Sequence, residues 1–206
     1  MTGGPAGGAP AATAGRPFPD GGAPPPGGVV PLGVPGGAAA RHGARVWLGR
    51  VAPAGAEDRA ALDAAESARA ERMAPGPVRE RYVAARAAIR RLLAAELGCT
   101  PQAVEWGRHP CPRCPDPAHG RPRLTAPAGA PEVGVSRTGP WWLLAVADAP
   151  VGADVEHLSP AGRGALVRRC FSAAERRWLA ELPEPERAAA LARGWVRKEA
   201  VTKAWG

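Results

Sequence analysis

Strands and helices are interspersed along this 206-residue chain, so the sequence predicts a mixed fold of the α/β (α+β) class. Three observations lead there. Short apolar runs of strand length recur at 46–51, 133–136, 141–147 and 151–156. Tyr82, Ala85, Ile89, Leu92, Leu93 and Leu97 recur at helical spacing and stop at Gly98. Two more helical stretches close the chain.

Each element has its own justification. Residues 1–45 are Gly, Pro and Ala with almost no large apolar side chain, so nothing offsets the entropy of ordering them and a structureless tail is expected. Val46 to Val51 reads as the first strand. An Ala- and Arg-rich pattern from Asp58 to Met73 suits a helix, stopped by Pro75-Gly-Pro77. The second helix runs through Tyr82 to Leu97. Pro and Gly punctuate 107–131, which should be largely loop. Val133 to Ser136 is a short strand, and Trp141 to Ala147 and Val151 to Glu156 are two more, joined at Asp148-Ala-Pro150 as a hairpin. The closing helices span 161–182, broken around Cys170 to Ser172, and 184–204. Trp47, Trp106, Trp141, Trp142 and Trp178 are expected to be core or interface aromatics.

Formal net charge is +8, with a pI of about 10.5. Such a surface suits an anionic partner, whether nucleotide, acidic protein or nucleic acid. No apolar run approaches the ~20 residues of a membrane span, and the N-terminus lacks the pattern of a secretion signal. A soluble, cytoplasmic protein is expected.

Two motifs carry the chemistry. In Gly152-Ala-Asp154-Val-Glu156 the strand period of two puts both carboxylates on one face. Side by side they repel unless a cation lies between them, and oxygen ligands suit a hard ion such as Mg²⁺ or Mn²⁺. A solvated strand end is the plainer alternative. The second motif is marked by composition: of 27 basic residues only Lys198 and Lys203 are lysines, both within Trp195-Val-Arg-Lys198-Glu199-Ala-Val-Thr-Lys203. Glu199 and Lys203, four apart, share a helix face. An ordinary charged face would look the same.

In this order, the two motifs resemble the Gly-x-Asp-x-Glu strand and Trp-x-x-Lys-Glu-Ala-x-x-Lys helix of the 4′-phosphopantetheinyl transferases, in particular the group serving polyketide and nonribosomal peptide synthesis. Phe171-Ser-x-x-Glu175 is similar to that family's Phe-Ser-x-x-Glu element, Arg81-Tyr-Val-Ala-Ala-Arg86 through Leu93 to its first long helix, and Gly120-Arg-Pro122 to its Gly-Lys-Pro turn. The resemblance implies two lobes related by a pseudo-twofold, 46–148 and 149–206, with coenzyme A between them. It implies transfer of the phosphopantetheine arm of coenzyme A to a serine of an apo-acyl or peptidyl carrier protein, releasing 3′,5′-ADP. Asp154, Glu156 and Glu199 would hold Mg²⁺ without an opposing cation of their own. Glu199 would act as base, Lys203 at the leaving phosphate and Lys198 at another phosphate oxygen. Arg69, Arg81, Arg121, Ser136 and Arg137 match cofactor-binding positions, with Arg137 where the family has a histidine and Arg121 where its turn has a lysine. A monomer is expected, binding neither nucleic acid nor membrane.

Two features pull the other way. His109-Pro-Cys111-Pro-Arg-Cys114-Pro-Asp-Pro-Ala-His119 has the look of half a zinc knuckle, with His109 or Cys99 as a fourth ligand. A rigid proline loop without chemistry is the preferred reading, and the knuckle supports the alternative of a basic nucleic-acid or protein-binding module. The chain also stops at Gly206, where the resemblance implies some tens of further residues, so an incomplete second lobe, in a truncated record or a naturally short and inactive relative, is expected.

Overall fold

In the computed structural model, residues 23–32, 43–157 and 163–206 are described. The expectations for 1–22, 33–42 and 161–162 lie outside them. The strands are β1 (Val29–Leu32), β2 (Arg45–Arg50), β3 (Glu105–Arg108), β4 (Pro122–Ala126), β5 (Glu132–Thr138) and β6 (Trp141–Ala147). The helices are α1 (Ala56–Ala60), α2 (Ala64–Arg72), α3 (Pro77–Leu97), α4 (Arg163–Cys170), α5 (Ala173–Glu181) and α6 (Glu184–Trp205), with a 3₁₀ turn at Pro101–Ala103. No described helix is long and apolar enough to cross a membrane.

Four strands form an antiparallel sheet in the order β1-β2-β6-β5. Its two faces follow from the alternation of β6. Trp142, Leu144 and Val146 turn one way and, with Val133 of β5, meet Ile89 and Leu93 of α3 in the main core. Ala145, paired with Gly134, and Leu143, paired with Ser136, turn the other way. Gly49 lies opposite Trp142 in the ladder, and a Cβ there would run into the indole ring, so glycine makes room for the largest core side chain.

β1 overturns the expectation of a structureless first 45 residues. Val29-Val-Pro-Leu pairs with β2 through Pro31 opposite Trp47, and proline is tolerated because β1 is an edge strand. The loop expected over 107–131 proves to carry a two-stranded ladder, Glu105–Arg108 against Pro122–Ala126.

The helix expected from Asp58 to Met73 is two helices, for a reason the residues supply. Asp63 caps α2 by accepting the Glu66 backbone N–H at 2.7 Å, while the Glu66 side chain returns to the Asp63 N–H. Both carboxylates then receive the fully buried Arg90 of α3, whose remaining donors reach the carbonyls of Pro101 and Val104 at 2.6 and 2.8 Å. Arg90→Leu removes the partner of a buried carboxylate, and about 3 kcal/mol of stability is expected to go with it. Urea unfolding measures this; a variant as stable as the parent would show that Glu66 is adequately served by Arg86.

The residues after β6 depart from expectation more consequentially. Val151 to His157 form no strand and no hairpin with β6. They lie instead against β5, where a Cβ on Gly134 would come within 2.9 Å of Ala153 N. Helix α6 closes on the far side of this segment. A Cβ on Gly152 would overlap the carbonyl oxygen of Ala200 and lie 2.7 Å from Ala204 N. Two glycines thus let sheet, connecting segment and helix stack backbone to backbone. A separate core of Phe171, Leu179, Ala190 and Leu191 ties α5 to α6, with Trp195 packed against it. Trp178, expected inside, is half exposed.

Candidate active site

The stack at Gly134 and Gly152 fixes what lies two and four residues further along. Ser136 Oγ donates to Asp154 Oδ1 at 2.9 Å, and Thr138 Oγ1 donates to Glu156 Oε2 at 3.3 Å. Asp154 and Glu156 therefore share one side of their segment, held by side chains of β5 instead of a backbone ladder. Docking of α6 brings Lys203 Nζ to Asp154 Oδ1 and to Ser136 Oγ, the latter at 3.3 Å. The expectation that the carboxylates converge without a cation of their own is corrected here, since Lys203 is paired with Asp154.

A metal ion fits Asp154 all the same. Its side chain is 3% exposed, and Oδ2 is buried with no hydrogen-bond partner. A buried carboxylate oxygen without a donor carries a full desolvation cost, which a cation would relieve. Glu199 is not gathered with Asp154 and Glu156: among the described residues no three carboxylates bring their oxygens within 4.8 Å of one another. Glu199 is half-buried on α6 and lines a second cavity of about 650 Å³ with Phe171, Glu175 and Lys198.

Ser136 and Lys203 also line a larger cleft of about 890 Å³. Arg69, Arg81, Arg86, Arg108 and Arg137 line it too, making six cations with Lys203, against the carboxylates of Asp63 and Glu66. Those two are already taken up by Arg90 and Arg86. Arg137 leaves β5 on the face opposite Ser136, so the cleft collects groups from both sides of that strand. The guanidinium carbons of Arg137 and Arg69 stand 5.1 and 5.6 Å from the Tyr82 ring centre. Burial, with the nearby Arg86 cation adding to it, pulls Arg137 below the usual guanidinium value. Burial likewise pushes the Tyr82 phenol up, which keeps it neutral.

Two expected cofactor residues are placed elsewhere. Arg121 pairs with Glu132, which also meets His109 Nε2 at 3.1 Å. Burial pushes the Glu132 carboxyl up, but hydrogen bonds from Arg121 and His109 outweigh it and hold the group below its ordinary value. Lys198 pairs with Glu175 at 2.9 Å and lies 5.4 Å from the centre of the Phe171 ring. Ser172 between them caps α5 in a reciprocal box with Glu175, so the Phe171-Ser172-x-x-Glu175 stretch serves to start a helix and seat Lys198. Sequence reasoning missed Arg86 and Arg108 in the cleft. Arg86 had a signal, lying one helical turn after Tyr82, but it is also Glu66's partner.

Residues 150–206 match the sequence model of the 4′-phosphopantetheinyl transferase superfamily. A protein of Synechocystis sp. (strain ATCC 27184 / PCC 6803 / Kazusa), which carries the provisional name of 4′-phosphopantetheinyl transferase, is 29% identical over 150 residues. That match covers 71% of this chain, and the chain spans 58% of the relative's length. The matched region contains Asp154, Glu156, Glu199 and Lys203, and over those residues the chain is similar to the 4′-phosphopantetheinyl transferase superfamily.

Proposed function

We propose that the protein transfers the 4′-phosphopantetheine arm of coenzyme A to a serine hydroxyl of an acyl or peptidyl carrier protein, releasing 3′,5′-ADP, within the group that serves polyketide and nonribosomal peptide synthesis. The observation that carries this reading is the cleft with six cationic side chains, which ends at Ser136 and Lys203, both bonded to Asp154. Coenzyme A is a polyanion of matching demand, with a 3′-phosphate and a pyrophosphate. Arg69, Arg81 and Arg137 would grip it through charge-assisted and two-pronged hydrogen bonds.

The reaction forms a bond from the serine oxygen to the phosphorus bearing pantetheine and breaks that phosphorus's bond to the bridging oxygen. Positioning and charge neutralisation are most of what such a transfer needs. Lys203, already fixed by Asp154 and Ser136, offers a preorganised ammonium to the departing phosphate. Asp154 through Oδ2, with Glu156 beside it, would hold Mg²⁺ or Mn²⁺, which supplies further positive charge at the phosphoryl oxygens; Glu199 would have to turn from the second cavity to join them. The Glu199 carboxylate has no hydrogen bond or ion pair among the described residues, and to take the serine proton as base it would turn from the second cavity toward the cleft.

Coenzyme A should raise the melting temperature in a dose-dependent way, because it binds only the folded chain; at a hundred times its Kd the gain is about 2.7 kcal/mol. Arg137→Ala should weaken that response. Stabilisation by RNA or duplex DNA at physiological salt, with none from coenzyme A, would contradict the reading.

A further inference from the structure

We infer that Cys111, Cys114 and His119 form a zinc site, with Asp116 as the outer carboxylate that orients His119. This holds whatever reaction the cleft performs. The three ligand atoms lie within 4.8 Å of one another, the only such group among the described residues. Cys114 Sγ meets His119 Nδ1 at 3.1 Å. Tetrahedral zinc, with Zn–S of ~2.3 Å and Zn–N of ~2.0 Å, needs that pair about 3.5 Å apart, so insertion of the ion requires an opening of about half an ångström. The other ring nitrogen has a carboxylate near it, at more than hydrogen-bond distance: His119 Nε2 stands 3.8 Å from Asp116 Oδ2, while Asp116 Oδ1 accepts the Ala118 N–H at 2.8 Å. One imidazole nitrogen toward two thiols and the other toward a loop-anchored carboxylate is the arrangement metal-binding histidines adopt.

The surrounding loop gives the metal something to do. Thirteen residues, 109–121, connect β3 to β4 without a regular element, which is long for a structureless connection in a compact domain. Its neck is closed by His109 N–H donating to the Arg121 carbonyl at 3.0 Å and by Arg108 donating to the Gly120 carbonyl at 2.7 Å. Gly120, at φ +94°, passes so close to the His109 carbonyl that no side chain fits. Beyond the neck, Cys111, Cys114 and His119 are the groups that can tie the tip together. Pro117, inside the chelate, lines the large cleft, and Pro112 lies beside Gly206 at the end of α6. Zinc would thus pin one wall of the cleft against the helix that carries Lys203. The proposed fourth ligands are otherwise engaged: His109 is bonded to Glu132 and Cys99 packs against the main core. The fourth position is therefore left to solvent.

The test is metal content and cobalt spectroscopy on the full chain purified under reductant. Expected are one zinc per chain and, after chelation, a thiolate-to-cobalt charge-transfer band that saturates at one equivalent of Co²⁺ and is displaced by Zn²⁺. His119→Ala should abolish tight binding, and Asp116→Asn should lower zinc affinity by about 10- to 100-fold. Both side chains are largely exposed, so these variants report on metal even where a double cysteine variant fails to fold. A chain that holds no zinc and gives no cobalt band overturns the inference, as does a Cys111–Cys114 disulfide in the reduced preparation. Unchanged zinc affinity in Asp116→Asn removes Asp116 from the site.

Discussion

Asp154→Ala is expected to lower transfer by on the order of a thousandfold while leaving the chain folded. Three consequences of this one carboxylate justify the size. Oδ1 fixes Lys203 and Ser136, and Oδ2 is the buried, unpartnered oxygen that suits a metal ion. Losing a preorganised electrostatic group in a site of this kind costs about a hundred- to a thousandfold in rate, and here the substitution loosens Lys203 as well as emptying the carboxylate position. Stability should suffer less. Lys203 is 38% exposed and can be hydrated once unpaired, and the alanine leaves no buried charge behind. Activity at fixed carrier and coenzyme A, compared with a urea melt of the same preparation, reads both quantities. Parental turnover in the variant would remove Asp154 from the site.

Gly152→Ala should be the next most damaging substitution, and it acts through the backbone. The added methyl group would overlap the Ala200 carbonyl oxygen, part of a helix that cannot swing aside like a flexible side chain. Either α6 retreats or residues 151–157 do. Both movements separate Lys203 from Asp154, and a displacement of about 1 Å costs on the order of a hundredfold in rate. Overpacking of this kind also costs about 1–3 kcal/mol of stability. The expected signature is a joint loss of melting temperature and activity, with coenzyme A affinity reduced less, because Arg69, Arg81 and Arg137 lie on α2, α3 and β5 and not on α6. A variant with normal turnover would show that α6 tolerates the shift.

The sequence revealed the elements whose pattern is local. Helix α3 announced itself by apolar spacing and ended at Gly98, which sits at φ +65° as a left-handed cap. β2, β5 and β6 announced themselves as short apolar runs of strand length. What stayed hidden depends on contacts distant in sequence. The alternation of Val151 to Glu156 looked like a strand, yet its partners are the hydroxyls of Ser136 and Thr138 and the backbone of α6. Nothing in the sequence sets Arg90 apart on an arginine-rich helix, although it is the buried knot between α2 and α3. β3 and β4 were masked by the proline- and glycine-rich residues between and around them.

The candidate site was legible in the same uneven way. Arg69, Arg81, Ser136, Arg137 and Lys203 do line one cleft. Arg121 and Lys198 were read as cofactor-binding, but Glu132 and Glu175 pair with them, and no spacing rule exposes pairs 11 and 23 residues apart. Glycine spacing was informative in retrospect. The Gly152-x-Asp154 pair combines the close approach of α6 with the carboxylate that approach delivers to Lys203.

Transfer itself tests the central claim most directly. The protein is incubated with coenzyme A, Mg²⁺ and a panel of apo-acyl and apo-peptidyl carrier proteins, and the intact mass of each carrier is followed, with Asp154→Ala in parallel. The expected result is the addition of one phosphopantetheinyl group to a single carrier serine, dependent on Mg²⁺ and lost in Asp154→Ala. Carriers that stay unmodified while coenzyme A leaves the melting temperature unchanged, or a modification that proceeds equally well in Asp154→Ala or in excess EDTA, would contradict it.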